Sequence, residues 1–275
     1  MSVFICSLNS GSNGNCYYVG NQHEAILVDA GLSCRETEKR MLRAGLSMSK
    51  VKAIFVSHEH SDHIRGIPVI AKKYDLPVYL TPGTLSNSSF LKLELERHLV
   101  CLMPAFTEIS IGQLTITAFP KVHDAMDPHS FIVTCGDIKI GVFTDLGRCC
   151  EQLVAHFKQC HAAFLEANYD EVMLDQGRYP WHLKNRIRGG KGHLSNREAL
   201  QLFIDHRPQQ LTHLLLAHLS QDNNCPDLVQ QLFDQHANGV LVTVASRHIE
   251  SAVYCVGGDG GINVVRKVEQ LVMGF

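Results

Sequence analysis

Six consecutive residues constrain this chain more than any other stretch. His58-Glu59-His60-Ser61-Asp62-His63 reads H-x-H-x-D-H and directly follows the apolar run Val51 to Val56. The run has the pattern of a buried strand and Ile64 to Tyr74 that of a helix, which places the motif on a strand-to-helix loop. In an extended segment His58 and His60 project to the same side and can grip one ion. Asp62 and His63 then turn towards a second. Imidazole and carboxylate donors without a thiolate suit Zn, Mn or Fe and leave positions open to water. Sixteen histidines in 275 residues fit metal chemistry.

A chain of this length buries a full core, and we read residues 1–275 as one domain. Apolar content of 45% and charged content of 19% are globular values. A net charge of −2 excludes a uniformly basic nucleic-acid coat but not a local basic patch. The ten cysteines lie at irregular spacings with no C-x-x-C pair, the usage expected of reduced thiols in a cytoplasmic enzyme. Met1 to Ser7 has no basic region ahead of its short apolar run and is not read as a signal peptide. No stretch approaches the ~18 apolar residues of a membrane span.

The first thirty residues read as strand, turn, strand, strand, with the turn cluster Asn9 to Asn15 between the first two. A helical pattern (Thr37, Met41, Leu42) runs from Ser33 or Cys34 to Gly45. A short strand, Pro77 to Leu80, follows the Ile64 helix, and Thr81-Pro82-Gly83 opens a further helix carrying Leu85, Leu91, Leu93 and Leu95. Ser130 to Cys135 and Ile138 to Phe143 form a hairpin turned by Gly136-Asp137. The second half alternates helices with the strands Ala162 to Leu165, Leu214 to Ala217 and Val240 to Val244. Two runs of strands, each followed by helices, predict two packed β-sheets with helices outside.

Several chemistry-bearing residues fall at strand ends. Asp29 closes the third strand in Leu27-Val-Asp-Ala-Gly31, and Asp145 follows another in Val142-Phe-Thr-Asp-Leu-Gly147. His123 lies just past a strand in Phe119-Pro-Lys-Val-His-Asp124, with His129, at the start of the next strand, as its rival. His193, in Lys191-Gly-His-Leu-Ser-Asn196, and His218, after Leu214-Leu-Leu-Ala217, are candidates for a final ligand. His213 begins that strand and reads as structural. With these motifs most of the chain resembles a metallo-β-lactamase-fold hydrolase, an αββα sandwich of two mixed sheets with a metal site along one edge.

That resemblance implies two divalent ions per chain (Zn, Mn or Fe). His58, His60 and His123 would hold one; Asp62, His63, Asp145 and His218 would hold the other, with Asp145 bridging. Asp29 would orient ligands by hydrogen bonding. Two ions ~3.5–4 Å apart can share a hydroxide that is nucleophilic near neutral pH. His193 is similar to a non-ligand histidine of the ribonuclease Z branch, which either donates a proton to the leaving oxygen or contacts the scissile phosphate. Glu166 would then orient His193, or cap a helix. Asp62 and His193 are the expected catalytic groups.

From Gln176 to Arg197 no Asp or Glu occurs, whereas Arg178, Lys184, Arg186, Arg188, Lys191 and Arg197 do, with Tyr179 and Trp181 among them. Pro180 fits a helix's first turn and Gly189-Gly190 its end. The segment reads as a phosphate track with aromatics to stack, or as a solvated helix with Trp181 in the core. Asn9 to Tyr18, Val28 to Arg35, His123 to Pro128, Glu166 to Asp170, Gly192 to Asn196 and Leu216 to Asn224 together resemble the bacterial YycJ/WalJ/VicX group, described as 5′-to-3′ exonucleases on double-stranded DNA linked to mismatch repair. Tyr169 departs from the histidine expected in that pattern. The interval from Asp145 to His218 is too short for the inserted domain of the RNase J and CPSF-type nucleases.

The resemblance thus implies a dinuclear exonuclease whose partner is duplex DNA ends. The alternatives are a small-molecule phosphodiesterase, which needs a closed pocket and no basic helix, a lactamase- or glyoxalase-like hydrolase, and a binding protein with a dead site. A homodimer is left open: the pattern Val264 to Phe275 suits docking on the core or on a second subunit.

Overall fold

The computed structural model describes residues 1–257 and 263–265. One sheet holds β1 (Ser2–Asn9), β2 (Cys16–Gly20), β3 (Ala25–Val28), β4 (Val51–Phe55), β5 (Val78–Leu80) and β6 (Val100–Leu102). The second holds β7 (Glu108–Ile111), β8 (Leu114–Pro120), β9 (His129–Cys135), β10 (Ile138–Phe143), β11 (Ala162–Glu166), β12 (His213–Ala217) and β13 (Leu241–Val244). The chain then returns to the first sheet with β14 (Val253–Gly257) and β15 (Asn263–Val265). The orders are β15-β14-β1-β2-β3-β4-β5-β6 and β13-β12-β11-β10-β9-β8-β7. Both sheets are mixed: β3 to β6 run parallel, as do β10 to β13, and the remaining pairs are antiparallel.

Period-two alternation explains the layering. Val3 and Ile5 of β1, Ile26 and Val28 of β3, Ala162 and Phe164 of β11, and Leu215 and Ala217 of β12 meet in one core between the sheets. The alternate residues of the same strands face outward into two further cores. Cys6, Leu8, Ala25 and Leu27 pack with Met41, Ile67 and Ile70 from the helices Cys34–Arg43 and Ile67–Tyr74. Ala163, Leu165, Leu214 and Leu216 pack with Leu153, Phe203 and Phe233 from the helices Glu151–Phe157, Asn196–His206 and Pro226–Asp234. The result is the expected αββα sandwich. Strands buried on both faces read as continuous apolar runs, which is why they were visible in the sequence.

Three local expectations are corrected. The helix expected over Ile64 to Tyr74 is two helices, Ser61–Ile64 and Ile67–Tyr74. The chain breaks at Gly66, whose N–H donates to the Ala30 carbonyl (2.8 Å) and whose missing Cβ would lie 1.8 Å from the Leu32 oxygen. The helix expected after Thr81 is also divided, into Pro82–Ser86 and Ser88–Leu91, because Asn87 leaves the helical conformation and caps the second piece with its side chain; Leu93 and Leu95 lie beyond both. Leu42, taken as part of an apolar face, is exposed. Beyond Val265 the C-terminal pattern lies outside the described residues.

One close approach positions the metal motif. A Cβ on Gly31 would sit 1.7 Å from the Asp62 carbonyl oxygen, which already accepts a hydrogen bond from Asn15 N at 2.7 Å. Gly31→Ala must therefore push the Asp62 backbone aside, and we expect it to lower stability by about 2–4 kcal/mol in urea unfolding. Gly45→Ala is the comparison: φ is +72° there with nothing within 4 Å, so only the left-handed backbone penalises the change, by about 1 kcal/mol. Equal losses at the two positions would refute the close-packing account.

Candidate metal centre

The parallel strands deliver their carboxyl ends to one edge of the sandwich, the place where sheets of this kind gather reactive groups. Asp29 follows β3, His58 lies beyond β4, His123 beyond β8 and Asp145 beyond β10; Glu166 ends β11 and His218 follows β12. Asp29, Asp145 and His218 all adopt a left-handed backbone, with φ of 60°, 55° and 56°. For a non-glycine residue that conformation costs on the order of 1–2 kcal/mol, and it turns each side chain out of its strand at the edge.

His58, His60 and His123 converge, each offering a ring nitrogen within 4.8 Å of the others. The first sits in the loop after β4 and His60 precedes the single-turn helix Ser61–Ile64, which carries Asp62 and His63 to the other side. Asp62, His63 and His218 form a second group of that kind, and His58, His63 and Asp145 a third. Asp145 stands between the two sides: Oδ1 is 3.8 Å from His123 Nε2 and 3.3 Å from His218 Nδ1, and Oδ2 is 3.3 Å from His63 Nε2. All seven residues expected to be ligands are brought together.

Hydrogen bonds orient these rings. Asp29 Oδ2 accepts from His63 Nδ1 (2.7 Å) and from the Ser57 hydroxyl (2.8 Å), while its Oδ1 accepts from Ser57 N (2.8 Å). Ser57 Oγ lies 2.9 Å from His58 Nδ1, and the Gly192 carbonyl accepts from His123 Nδ1 at 2.9 Å. Glu166 is fully buried and accepts four bonds: Oε1 from His193 Nδ1 (2.8 Å) and His218 Nδ1 (2.9 Å), Oε2 from Leu146 N (2.7 Å) and Leu194 N (3.1 Å). Each ring that uses Nδ1 to donate presents the lone pair of Nε2 instead. The helix Asn196–His206 is capped by Ser195, not by Glu166.

The donor set fits divalent cations. His123 Nε2, His218 Nε2 and Asp145 Oδ2 are buried without a hydrogen-bond partner among the described residues, an expensive arrangement unless an ion completes it. Burial drives the His58 imidazole well below its ordinary pKa and takes His123 down to about 4, so both are neutral donors. Burial also opposes charge on His218, yet Asp145, Asp62 and Glu166 outweigh it and push that ring up to about 10. Burial opposes charge on His63 too, yet Asp145, Asp29 and Asp62 push that ring well above its ordinary pKa, so the carboxylates draw to this edge the positive charge that a divalent ion would supply.

Four contributors were not singled out in the sequence. Asn15 Nδ2 lies 3.0 Å from His63 Nε2 and 3.2 Å from Asp62 Oδ2; in sequence it was one more turn asparagine. Glu59, the alternate residue of H-x-H, is buried, and its Oε1 accepts from Met126 N (2.8 Å) and Asn87 Nδ2 (3.1 Å), fastening the loop after His123 to the motif. Lys121 donates to the Thr144 carbonyl at 2.7 Å; its i, i+2 relation to His123 is the same signal that paired His58 with His60. Asp124 Oδ1 lies 3.4 Å from His123 Nε2. His129 and His213 are buried and belong to none of the clusters, as expected of structural residues.

The basic segment forms the helix Trp181–Arg188. Trp181 is 68% exposed, with the Arg188 guanidinium 4.9 Å from its ring centre, so it is not a core residue. Tertiary folding supplies the acids that the segment lacks: Arg186 pairs with Asp124, Arg188 with Asp175 and Arg197 with Glu171. Lys184 donates to the Asp175 carbonyl (2.7 Å), and Arg178 and Lys191 have no ion pair among the described residues.

Residues 24–218 match the family model of the beta-lactamase superfamily domain. The chain is 36% identical over 244 residues to exodeoxyribonuclease YycJ of Bacillus anthracis, covering 87% of this chain and 92% of that one. It is 32% identical over 226 residues to exodeoxyribonuclease WalJ of Streptococcus pneumoniae, covering 80% and 83%. Among solved structures, the metallo-β-lactamase-fold protein YhfI of Bacillus subtilis superposes with a TM-score of 0.67 at 16% identity, over 91% of this chain and 99% of that one. The chain therefore belongs to the beta-lactamase superfamily, with the metallo-β-lactamase fold, in the group that includes YycJ and WalJ.

Proposed function

We propose that the protein is a two-metal phosphodiesterase acting as a 5′-to-3′ exonuclease on double-stranded DNA, in DNA mismatch repair in the cytoplasm. The observation that carries the hydrolase is the bridging position of Asp145 between two imidazole clusters; the similarity to YycJ and WalJ favours DNA. In this reading His58, His60 and His123 hold one ion, and Asp62, His63, Asp145 and His218 hold a second. Zn, Mn and Fe all suit such donors. When bound, the pair supplies the nucleophile and polarises the phosphoryl oxygen.

The protein's own groups supply the rest. His193 donates its Nδ1–H to Glu166, which fixes the ring and leaves Nε2 as the atom that can carry a proton to the leaving oxygen. His193 is accessible at the edge of the site, its side chain 20% exposed. It is the candidate donor to the leaving oxygen. Trp181, Arg178 and Lys191 form the DNA-facing surface, joined by Lys184, Arg186 and Arg188. The last two are held by surface ion pairs, typically worth ~0–1 kcal/mol, which phosphates can replace, and Arg188 also lies over the Trp181 ring and donates to Asn185. In keeping with a reducing compartment, all ten cysteines are free. Among the described residues no helix is long and apolar enough to cross a membrane.

Purified protein is expected to carry two divalent ions per chain by elemental analysis, and Asp145→Ala to lose at least one. With Mn or Zn, wild type should release short products from 5′-labelled duplex DNA, and Asp62→Ala and Asp145→Ala should not. No cleavage of DNA by metal-loaded wild type, with turnover of bis-p-nitrophenyl phosphate, would replace this reading with a small-molecule phosphodiesterase.

His193→Ala should retain its metal and lower kcat on DNA by about 10²–10⁴-fold, the usual worth of a positioned acid. Bis-p-nitrophenyl phosphate, whose leaving group needs no proton, should be hydrolysed at nearly the wild-type rate. Equal losses on both substrates would remove His193 from the proton-donor role. Trp181→Ala should raise KM for duplex DNA about 5–150-fold, corresponding to the ~1–3 kcal/mol of a stacked base.

A further inference from the structure

Asp124 places a carboxylate beside the one nitrogen that His123 keeps free. The His123 ring donates Nδ1–H to the Gly192 carbonyl, so in the neutral ring Nε2 carries a lone pair. Asp124 Oδ1 lies 3.4 Å from that Nε2. Both atoms are buried, and neither has a hydrogen-bond partner among the described residues. Two acceptors brought together away from water repel, and the contact is costly unless a cation joins them. Its length suits a shared ion: two donors each about 2.1 Å from a tetrahedral ion lie about 3.4 Å from one another.

The other carboxylate oxygen explains how Asp124 is aimed. Oδ2 accepts from Arg186 Nε, on the helix Trp181–Arg188. That helix is fixed relative to His123, since a Cβ on Gly192 would lie 2.3 Å from the Arg186 carbonyl oxygen and 2.2 Å from that of Ile187. The same Gly192 supplies the carbonyl that orients His123. On the chain's far side, Glu59 accepts from Met126 N at 2.8 Å and fastens the loop two residues beyond Asp124. Asp124 is thus held by its side chain and by its loop, with Oδ1 next to His123.

We propose that Asp124 is a further protein donor to the ion at His58, His60 and His123, and that Arg186 aims it there. Such a donor, resting on the two-metal reading, adds a negative charge to a cluster otherwise made of imidazoles. A substrate phosphate can then take Arg186 without leaving the carboxylate uncompensated, because Asp124 keeps the ion.

The test is metal binding, read without turnover. Zinc affinity is measured by competition with a chromophoric chelator in wild type, Asp124→Ala, Asp124→Asn and Arg186→Met. Removing a group that only orients a ligand costs about 10–100-fold in affinity, so Asp124→Ala should weaken one ion by at least about 100-fold and Arg186→Met by about tenfold. Asp124→Asn can still accept from Arg186 but lacks the charge, and should lose as much as Asp124→Ala. Asp124→Cys loaded with cobalt gives the direct signature, a near-ultraviolet thiolate-to-cobalt band. Wild type should lack that band, because no cysteine belongs to the clusters among the described residues. Wild-type affinity in Asp124→Ala overturns the proposal, as does recovery of that affinity in Asp124→Asn. A loss in Asp124→Ala without the band in Asp124→Cys makes Asp124 a support for His123 and overturns it equally. These three results leave the two-metal reading standing. Wild type that binds neither zinc nor cobalt removes that reading, and this proposal with it.

Discussion

Glu166 has no contact with solvent, and the four hydrogen bonds it accepts come from three different segments of the site's edge. Leu146 N belongs to the turn after Asp145, Leu194 N and His193 to the glycine-flanked loop, and His218 to the end of β12. Burial opposes its charge, yet His193 and His218 hold the carboxyl at about pKa 2. A buried carboxylate with both oxygens satisfied is rigid because moving any donor leaves an ion unpaired in a medium of low dielectric. The relative placement of Asp145, His193 and His218 depends on this one group. Asp29 does the equivalent work on the first sheet, tying Ser57 and His63 together and, through Ser57, His58.

These two carboxylates explain how the loops at the edge of each sheet are held in place. The sheets meet through an apolar core that fixes distance but specifies orientation poorly, whereas directional hydrogen bonds at the strand ends set which ring nitrogen faces inward. Left-handed backbone at Asp29, Asp145 and His218 is tolerated because hydrogen bonds and burial around each residue outweigh its cost.

Much of the fold was legible because its strands are buried on both faces. Leu214 to Ala217 and Ala25 to Val28 are unbroken apolar runs bounded by turn residues, and such runs have few alternatives. The helix boundaries were less legible where tertiary contact overrode local pattern. Nothing local to Gly66 announces that it must nest against Leu32, and the leucines after Thr81 keep a helical rhythm although Asn87 ends the helix. The acid-free stretch from Gln176 to Arg197 looked more strongly cationic than it is, because Asp124, Asp175 and Glu171 arrive from outside it.

The sequence alone determined the chemistry on offer: the H-x-H-x-D-H spacing, strand-end aspartates and histidines, and the absence of thiolates among them. Those features are local, since covalent spacing and strand alternation dictate which neighbouring side chains can share a face. Only the tertiary structure decided what each group does to the others. That Asn15 touches His63, that Glu166 serves two histidines, that Lys121 is buried and that Trp181 is exposed are relations between residues distant in the chain. They arise from the packing of two sheets face to face, and no spacing along the sequence records them.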